Sequence, residues 1–343
     1  MSLALITATV ILAFLFTFTN GFQDAGAIAA TFIASRSASP RKGIIFVASF
    51  AFLGAVFGGS AVAFTISELV TISSGITTIY VMTIGLFSAT VWNLITWRYG
   101  LPSSSTHALI GGLTGAAIAA AGIGSISWGF SDLIIPPHEL TGFVKIIFFL
   151  VLSVIIGFAG SYAAGKIVSF SLRNARRTVN KKIIGLNWLA AAAMSFGNGA
   201  NDSQKQLGII ALVLFSGGIS TAPEVPLWAR IMCALLLGFG TLIGGWRIMD
   251  TLGHRIFKIQ PVHSFESQFS SGLSIGISTL SGAPVSSNHI ISTSIIGTGA
   301  AENPKKVNWS TGKEIVIAMI ITIPVTVIIS GAIYHIVALT GGI

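Results

Sequence analysis

Asn20-Gly21-Phe22-Gln23-Asp24 follows directly on an apolar block at 2–19, and Asn198-Gly199-Ala200-Asn201-Asp202 repeats the pattern 178 positions later. An ionised carboxylate in hydrocarbon is costly and normally faces a cavity, a partner or an ion, so its recurrence within apolar surroundings decides how the chain is read. A second pair follows in the same order: Pro102-Ser103-Ser104-Ser105-Thr106-His107 and Pro284-Val285-Ser286-Ser287-Asn288-His289, 182 positions apart. Two matched pairs at almost the same spacing argue for duplication of a unit of about 170 residues. The halves are 1–170 and 183–343, each read as a transmembrane repeat, with a basic linker at 171–182 between them.

The surroundings of these motifs identify the solvent. Of 343 residues, 53% are hydrophobic and only 8% charged, against about 25% charge in a soluble domain. Apolar blocks long enough for a bilayer core of about 30 Å recur throughout, at 43–66, 78–97, 105–124, 143–170, 227–246 and 314–340, with shorter ones at 184–197, 207–218, 268–281 and 289–300. The stretch Met1–Thr19 lacks a basic leader and a cleavage site, so it reads as a retained first span. The net charge of +9 gathers in short loops rather than in an aromatic-laced stripe, which argues against nucleic acid as a partner. Lys166, Arg173, Arg176, Arg177, Lys181 and Lys182 form the densest basic cluster, and the positive-inside rule places that central loop in the cytoplasm. Cys233 is the single cysteine and has no partner for a disulfide.

The expected fold is therefore an all-α membrane protein, a polytopic transporter built from two homologous repeats. Segment 20–40 is apolar enough for the membrane yet opens with Asn, Gly, Gln and Asp, so a broken or re-entrant helix is its more natural form, since irregular backbone at depth survives where protein or a cavity surrounds it. Duplicated halves with Gly-interrupted segments at matching positions point to a secondary transporter with its site between them.

Asp24 and Asp202 stand beside the amides of Gln23 and Asn201, with Asn20 and Asn198 four positions earlier on the same helical side. Carboxylate and amide oxygens suit a hard cation such as sodium, and a carboxylate can also carry a proton; the alternative is a structural pair holding two helices together. Lys205 matches Ala27 in the first half. It can pair with Asp202 one turn away or offer its three donors to an anion. Ser104, Ser105, Thr106, Ser286, Ser287 and Asn288 follow prolines, as at helix N-termini, where free N–H groups attract an anion; simple helix capping accounts for them equally. His107 and His289 are either titrating groups or packing residues. Glu68 and Glu266 are further candidates for buried pairing. No G-x-S-x-G elbow surrounds these serines, and no P-loop, dinucleotide fingerprint or zinc motif is present, which argues against an enzyme and against direct ATP hydrolysis.

With these motifs in view, the chain resembles the inorganic phosphate transporter family, the low-affinity phosphate permeases, over nearly its whole length. Asn20–Asp24 looks like that family's first signature, and Asn201-Asp202-Ser203-Gln204-Lys205 like its second. Trp92-Asn93-Leu94-Ile95-Thr96-Trp97 leading into Gly100–His107, the run Gly282–His289, and Gly244-Gly245-Trp246-Arg247-Ile248 through Thr251, Gly253, Pro261 and Glu266 also match its form. The resemblance implies inverted repeats, a site near the membrane middle, uptake of phosphate coupled to sodium or protons without any other cofactor, and a homodimer. Carried onto this sequence, it makes Asn20, Gln23, Asp24, Asn198, Asn201 and Asp202 the cation-binding or coupling residues, with sodium at Asp24 and Asp202. Ser104, Ser105, Thr106, Ser286, Ser287, Asn288, Gln204 and Lys205 become the phosphate-binding set. Three positions depart from the pattern: Gln23 where His or Asn is common, Ala27 where Asn is usual, and Asn198 where compact bacterial forms often have His. The expected function is alternating-access symport of phosphate, with another oxyanion such as sulfate, or passive anion flow, as the alternatives.

Overall fold

The computed structural model describes residues 3–176, 178–244 and 246–341 and, within these, every side chain except those of Ala25, Trp246, Arg247 and His254. Arg177 of the basic cluster and Gly245 of the 244–248 run lie outside the described residues, as do the side chains of Trp246 and Arg247.

The described residues fold as helices joined by short connections. The first half contributes α1 (Leu3–Ala34), α2 (Pro40–Phe57), α3 (Ala61–Ser67), α4 (Ile76–Arg98), α5 (Ser105–Ala121), α6 (Phe130–Ile134) and α7 (Gly142–Ser171). The second contributes α8 (Val179–Ser216), α9 (Leu227–Gly244), α10 (Trp246–Asp250), α11 (Pro261–Leu280), α12 (Ser287–Glu302) and α13 (Trp309–Leu339). Five of them, α1, α2, α4, α7 and α13, are long and apolar enough to cross a membrane, so the protein is an all-α, multi-pass membrane protein. Phe148, Val151, Ile155 and Ile167 on α7, with Ile317, Ile320, Ile328 and Ile336 on α13, point outward, as expected where the surrounding solvent is lipid.

Helix α8 is different. At 38 residues it is about 57 Å long, and its middle carries Asn198, Asn201, Asp202, Gln204, Lys205 and Gln206, all buried. Such a face cannot lie against lipid, and α1, α2, α3 and α11 wrap it.

The helices pair reciprocally. α1 packs on α9 as α2 packs on α8, and α5 packs on α13 as α12 packs on α7, which suggests pseudosymmetry. The glycines of the duplicated motif sit at these crossings. Gly21 of α1 meets Gly240 of α9, Gly199 of α8 meets Ala51 on α2, and Gly54 of α2 meets Phe196 and Ala200 on α8. A Cβ on Gly21, Gly240, Gly54 or Gly199 would collide with the opposite backbone. Close approach through small residues is how membrane helices gain contact without a hydrophobic driving force.

Two matching reversals set up the centre. α4 ends with Gly100 at φ 66° and α11 with Gly282 at φ 66°, a backbone region that glycine enters without cost. Gly100 N–H donates to Trp97 O and Leu101 N–H to Thr96 O, while Gly282 donates to Thr279 O and Ala283 to Ser278 O. Both are Schellman closures. Each leads through a proline into an extended segment, and then into the N-terminus of α5 or α12.

No break falls at the polar motif that opens segment 20–40: α1 and α8 run as single helices through both Asn–Asp motifs, and the irregular backbone within 20–40 is the turn at 35–39. Their backbone groups bond within the helix, and the polar side chains find burial between helices instead. Beside the buried motifs, irregular backbone lies at 99–104 and 281–286.

Candidate functional site

α5 and α12 begin in the buried interior and end at the surface. Ser104, Ser105, Thr106, Ser286, Ser287 and Asn288 at their starts are each no more than 4% exposed. The two N-termini face each other: the Thr106 hydroxyl donates to Val285 O at 2.8 Å, and Asn288 Nδ2 donates to Ser103 O at 2.7 Å. Behind them the His107 and His289 rings pack 4.9 Å apart. His107 Nδ1 and both ring nitrogens of His289 are buried without a hydrogen-bond partner in the protein.

The amides of the duplicated motif hold these starts in place. Gln23 Nε2 donates to Thr96 Oγ1 and to Ser103 O, both at 3.2 Å. Asn201 Nδ2 donates to Thr279 Oγ1 and to Ala283 O, both at 3.0 Å, and Asn201 Oδ1 accepts from Val285 N–H at 3.2 Å. Each motif thus clamps the last turn of the helix before the reversal to the extended segment after it. Gln23 serves the first half where an Asn serves the second.

Asp24 and Asp202 are 3% and 1% exposed. Asp24 lies within electrostatic reach of both Asp202 and Lys205. The Ser105 hydroxyl donates to Asp24 Oδ2 at 3.3 Å. Lys205, fully buried, donates to Asp202 Oδ1 at 2.5 Å, Thr106 Oγ1 at 2.6 Å and Val285 O at 3.0 Å. An ammonium has three N–H groups, and all three are used, so Lys205 has no donor left for an anion in this conformation.

Several buried polar atoms around this cluster have no hydrogen-bond partner within the protein: Gln23 Oε1, Asp202 Oδ2, Ser286 Oγ, Ser287 Oγ and Asn288 Oδ1, with both side-chain atoms of Asn20 and Asn198 Oδ1 nearby in sequence. Unpaired buried polar groups cost about 1–3 kcal/mol each, and their concentration here marks a place made for a polar ligand. The two serine runs differ in this respect. Ser104 caps α5 by accepting from His107 N–H at 3.0 Å, whereas Ser286, at the matching position of α12, makes no cap bond.

Other expected residues fall elsewhere. Gln204 is turned away from the cluster: its Oε1 accepts from Val62 N–H and its Nε2 donates to Gly58 O and Ala200 O, which ties α3 to α8. Glu68 is exposed at the end of α3. Glu266 lines a cavity of about 440 Å³ beside Arg173, Arg176, His263 and Glu302, away from the aspartate pair. Lys166 donates to Ala301 O at the C-terminal end of α12, where a cation suits the helix dipole. The Ser103 and Val285 carbonyls are at the middle of the cluster and were not among the expected residues. Backbone oxygens carry no signal in a sequence.

The phosphate transporter family model matches the chain twice, over residues 20–186 and 171–330. The chain is 38% identical to a probable low-affinity inorganic phosphate transporter of Bacillus subtilis over 95% of both chains. It is 37% identical to one of Rhizobium meliloti over 96% of both. Its fold is similar to that of a solved sodium-dependent phosphate transporter, with a TM-score of 0.87, 22% identity and coverage of 98% of this chain and 100% of the other. By its duplicated Asn–Asp motifs, its two Ser-rich helix starts and its match along the whole length, the chain belongs to the phosphate transporter family, the low-affinity inorganic phosphate transporters.

Proposed function

We propose that the protein is a secondary active symporter that takes up inorganic phosphate with sodium or protons by alternating access. The observation that carries this reading is the meeting of two helix N-termini and two aspartates in one buried cluster whose side chains are at most 4% exposed. A ligand reaches such a cluster only when the surrounding helices move.

Phosphate is bound by the free N–H groups and dipoles at the starts of α5 and α12, together with the unpartnered hydroxyls of Ser286 and Ser287. A phosphate dianion beside two carboxylates is repelled, so a cation at the aspartates must come first, and coupling follows from charge. The printed name of the structurally similar transporter favours sodium as that cation.

The repeats are 1–170 and 183–343 and are inverted, with the basic linker at 171–182 in the cytoplasm. Reciprocal helix pairing and the two successive family matches support this division. Rocking of one half against the other then exposes the site to each side in turn. A homodimer is the expected assembly.

Radiolabelled phosphate uptake into proteoliposomes under separately imposed sodium and proton gradients tests the proposal. Accumulation against a phosphate gradient under one of them is the expected result, and equal uptake with neither would overturn coupling. Sulfate is the alternative cargo. Phosphate retains a proton that can be donated to a carboxylate and sulfate at neutral pH does not, so the aspartate pair favours phosphate; displacement of phosphate by equimolar sulfate would reverse the choice.

A further inference from the structure

The two halves present the same cluster of oxygens to different occupants. At the second Asn–Asp motif the Asp202 carboxylate, the Thr106 hydroxyl and the Val285 carbonyl converge on the ammonium of Lys205. A carboxylate, a hydroxyl and a backbone carbonyl around one positive centre are the hard oxygen donors from which protein sites for small cations are made. By the offsets of the two motif pairs, the counterparts of Asp202, Thr106 and Val285 are Asp24, Asn288 and Ser103, and the residue matching Lys205 is Ala27. There Ser103 O accepts from the neutral amides of Asn288 and Gln23, Asp24 accepts from the neutral hydroxyl of Ser105, and Asn288 Oδ1 has no partner. Ala27 is fully buried and adds only a methyl group.

We infer that Lys205 is a tethered cation that permanently fills the second of two equivalent cation positions, leaving the Asp24 position as the one a mobile cation takes. This rests on the symport reading above. Two ionised aspartates and one ammonium carry one uncompensated negative charge, so a single monovalent ion brings the cluster to neutrality, where a pair without the lysine would need two. Lys205 thereby sets the number of driving ions per phosphate and, by engaging Asp202 Oδ1, Thr106 Oγ1 and Val285 O with its three donors, excludes sodium from that half. Both copies of the Asp motif bear on coupling, but only the first exchanges its counter-ion. The first half, which lacks a side chain at position 27, is then the working cation site.

The experiment is a count of ²²Na⁺ bound per chain by purified protein in detergent, compared between wild type, Lys205→Asn and Lys205→Asn/Asp202→Asn. The expected result is one additional sodium in Lys205→Asn and its loss in the double variant. Unchanged sodium binding in folded Lys205→Asn, or a wild-type sodium site abolished by Asp202→Asn and not by Asp24→Asn, overturns the inference. Wild-type uptake gives a second measurement independent of any variant's folding: its dependence on the driving cation should be first order, and a second-order dependence overturns the inference as well. Absence of cation-driven phosphate uptake in the wild type would instead remove the symport reading, so the two failures are told apart.

Discussion

The Thr106 hydroxyl at the start of α5 donates to the Val285 carbonyl just ahead of α12, and the Lys205 ammonium donates to both of these oxygens. Three segments distant in sequence are joined at one point, and any motion that parts the halves must first break these bonds.

Thr106→Val keeps the shape and removes the hydroxyl. Lys205 then loses one acceptor and Val285 one donor. A charge-assisted hydrogen bond is worth about 1.5–3 kcal/mol, so phosphate uptake should fall about tenfold or more, while Thr106→Ser should retain most of it. Initial rates in proteoliposomes are the check.

Asp202→Asn leaves the Lys205 ammonium buried with no opposing charge of its own, a change that typically costs about 3–5 kcal/mol. The variant should melt well below wild type in detergent, and Asp202→Asn/Lys205→Met should recover part of the loss. Asp24→Asn removes a carboxylate bonded to a neutral hydroxyl, so it should keep near-wild-type melting yet lose gradient-driven accumulation.

Ser104→Ala removes the cap of α5 and should destabilise by about 1 kcal/mol. Ser286→Ala removes a hydroxyl that caps nothing and has no partner. It should leave melting unchanged and raise the KM for phosphate. Equal effects of the two on melting would contradict the assignment of Ser286 to the ligand.

Gly21→Ala and Gly199→Ala should each lower the yield of folded protein, because the added methyl meets the backbone of α9 or α2, and overpacking of this kind costs about 1–3 kcal/mol or more. Gly276→Ala on α11 meets nothing within 4 Å and should be neutral, or stabilising by about 0.4–1 kcal/mol. Monodispersity on size exclusion and melting temperature distinguish them.

Much of the buried cluster was legible in the sequence. Asp24, Asp202, the two Ser-rich helix starts and the Asp202–Lys205 pairing all follow from residue type and spacing, because a buried charge and a Pro–Ser helix start are local signals. The continuity of α1 and α8 was not legible, since polar residues within an apolar run read as a break until neighbouring helices are seen to cover them. Gln204 reads as part of a signature motif, yet it faces α3, because the side of a helix that meets the ligand depends on what packs on the other sides.

Composition and duplication by themselves determined that this is a membrane protein with paired intramembrane carboxylates, for few arrangements let so apolar a chain carry such residues. Only the tertiary structure decided what each copy touches. The Ser103 and Val285 carbonyls that complete the cluster carry no sequence signal. The role of Lys205 depends on three acceptors, two of which, Thr106 Oγ1 and Val285 O, lie 99 and 80 positions away in the chain. Hydrogen bonds form where backbones converge, and the crossings at Gly21 and Gly199 set where that is.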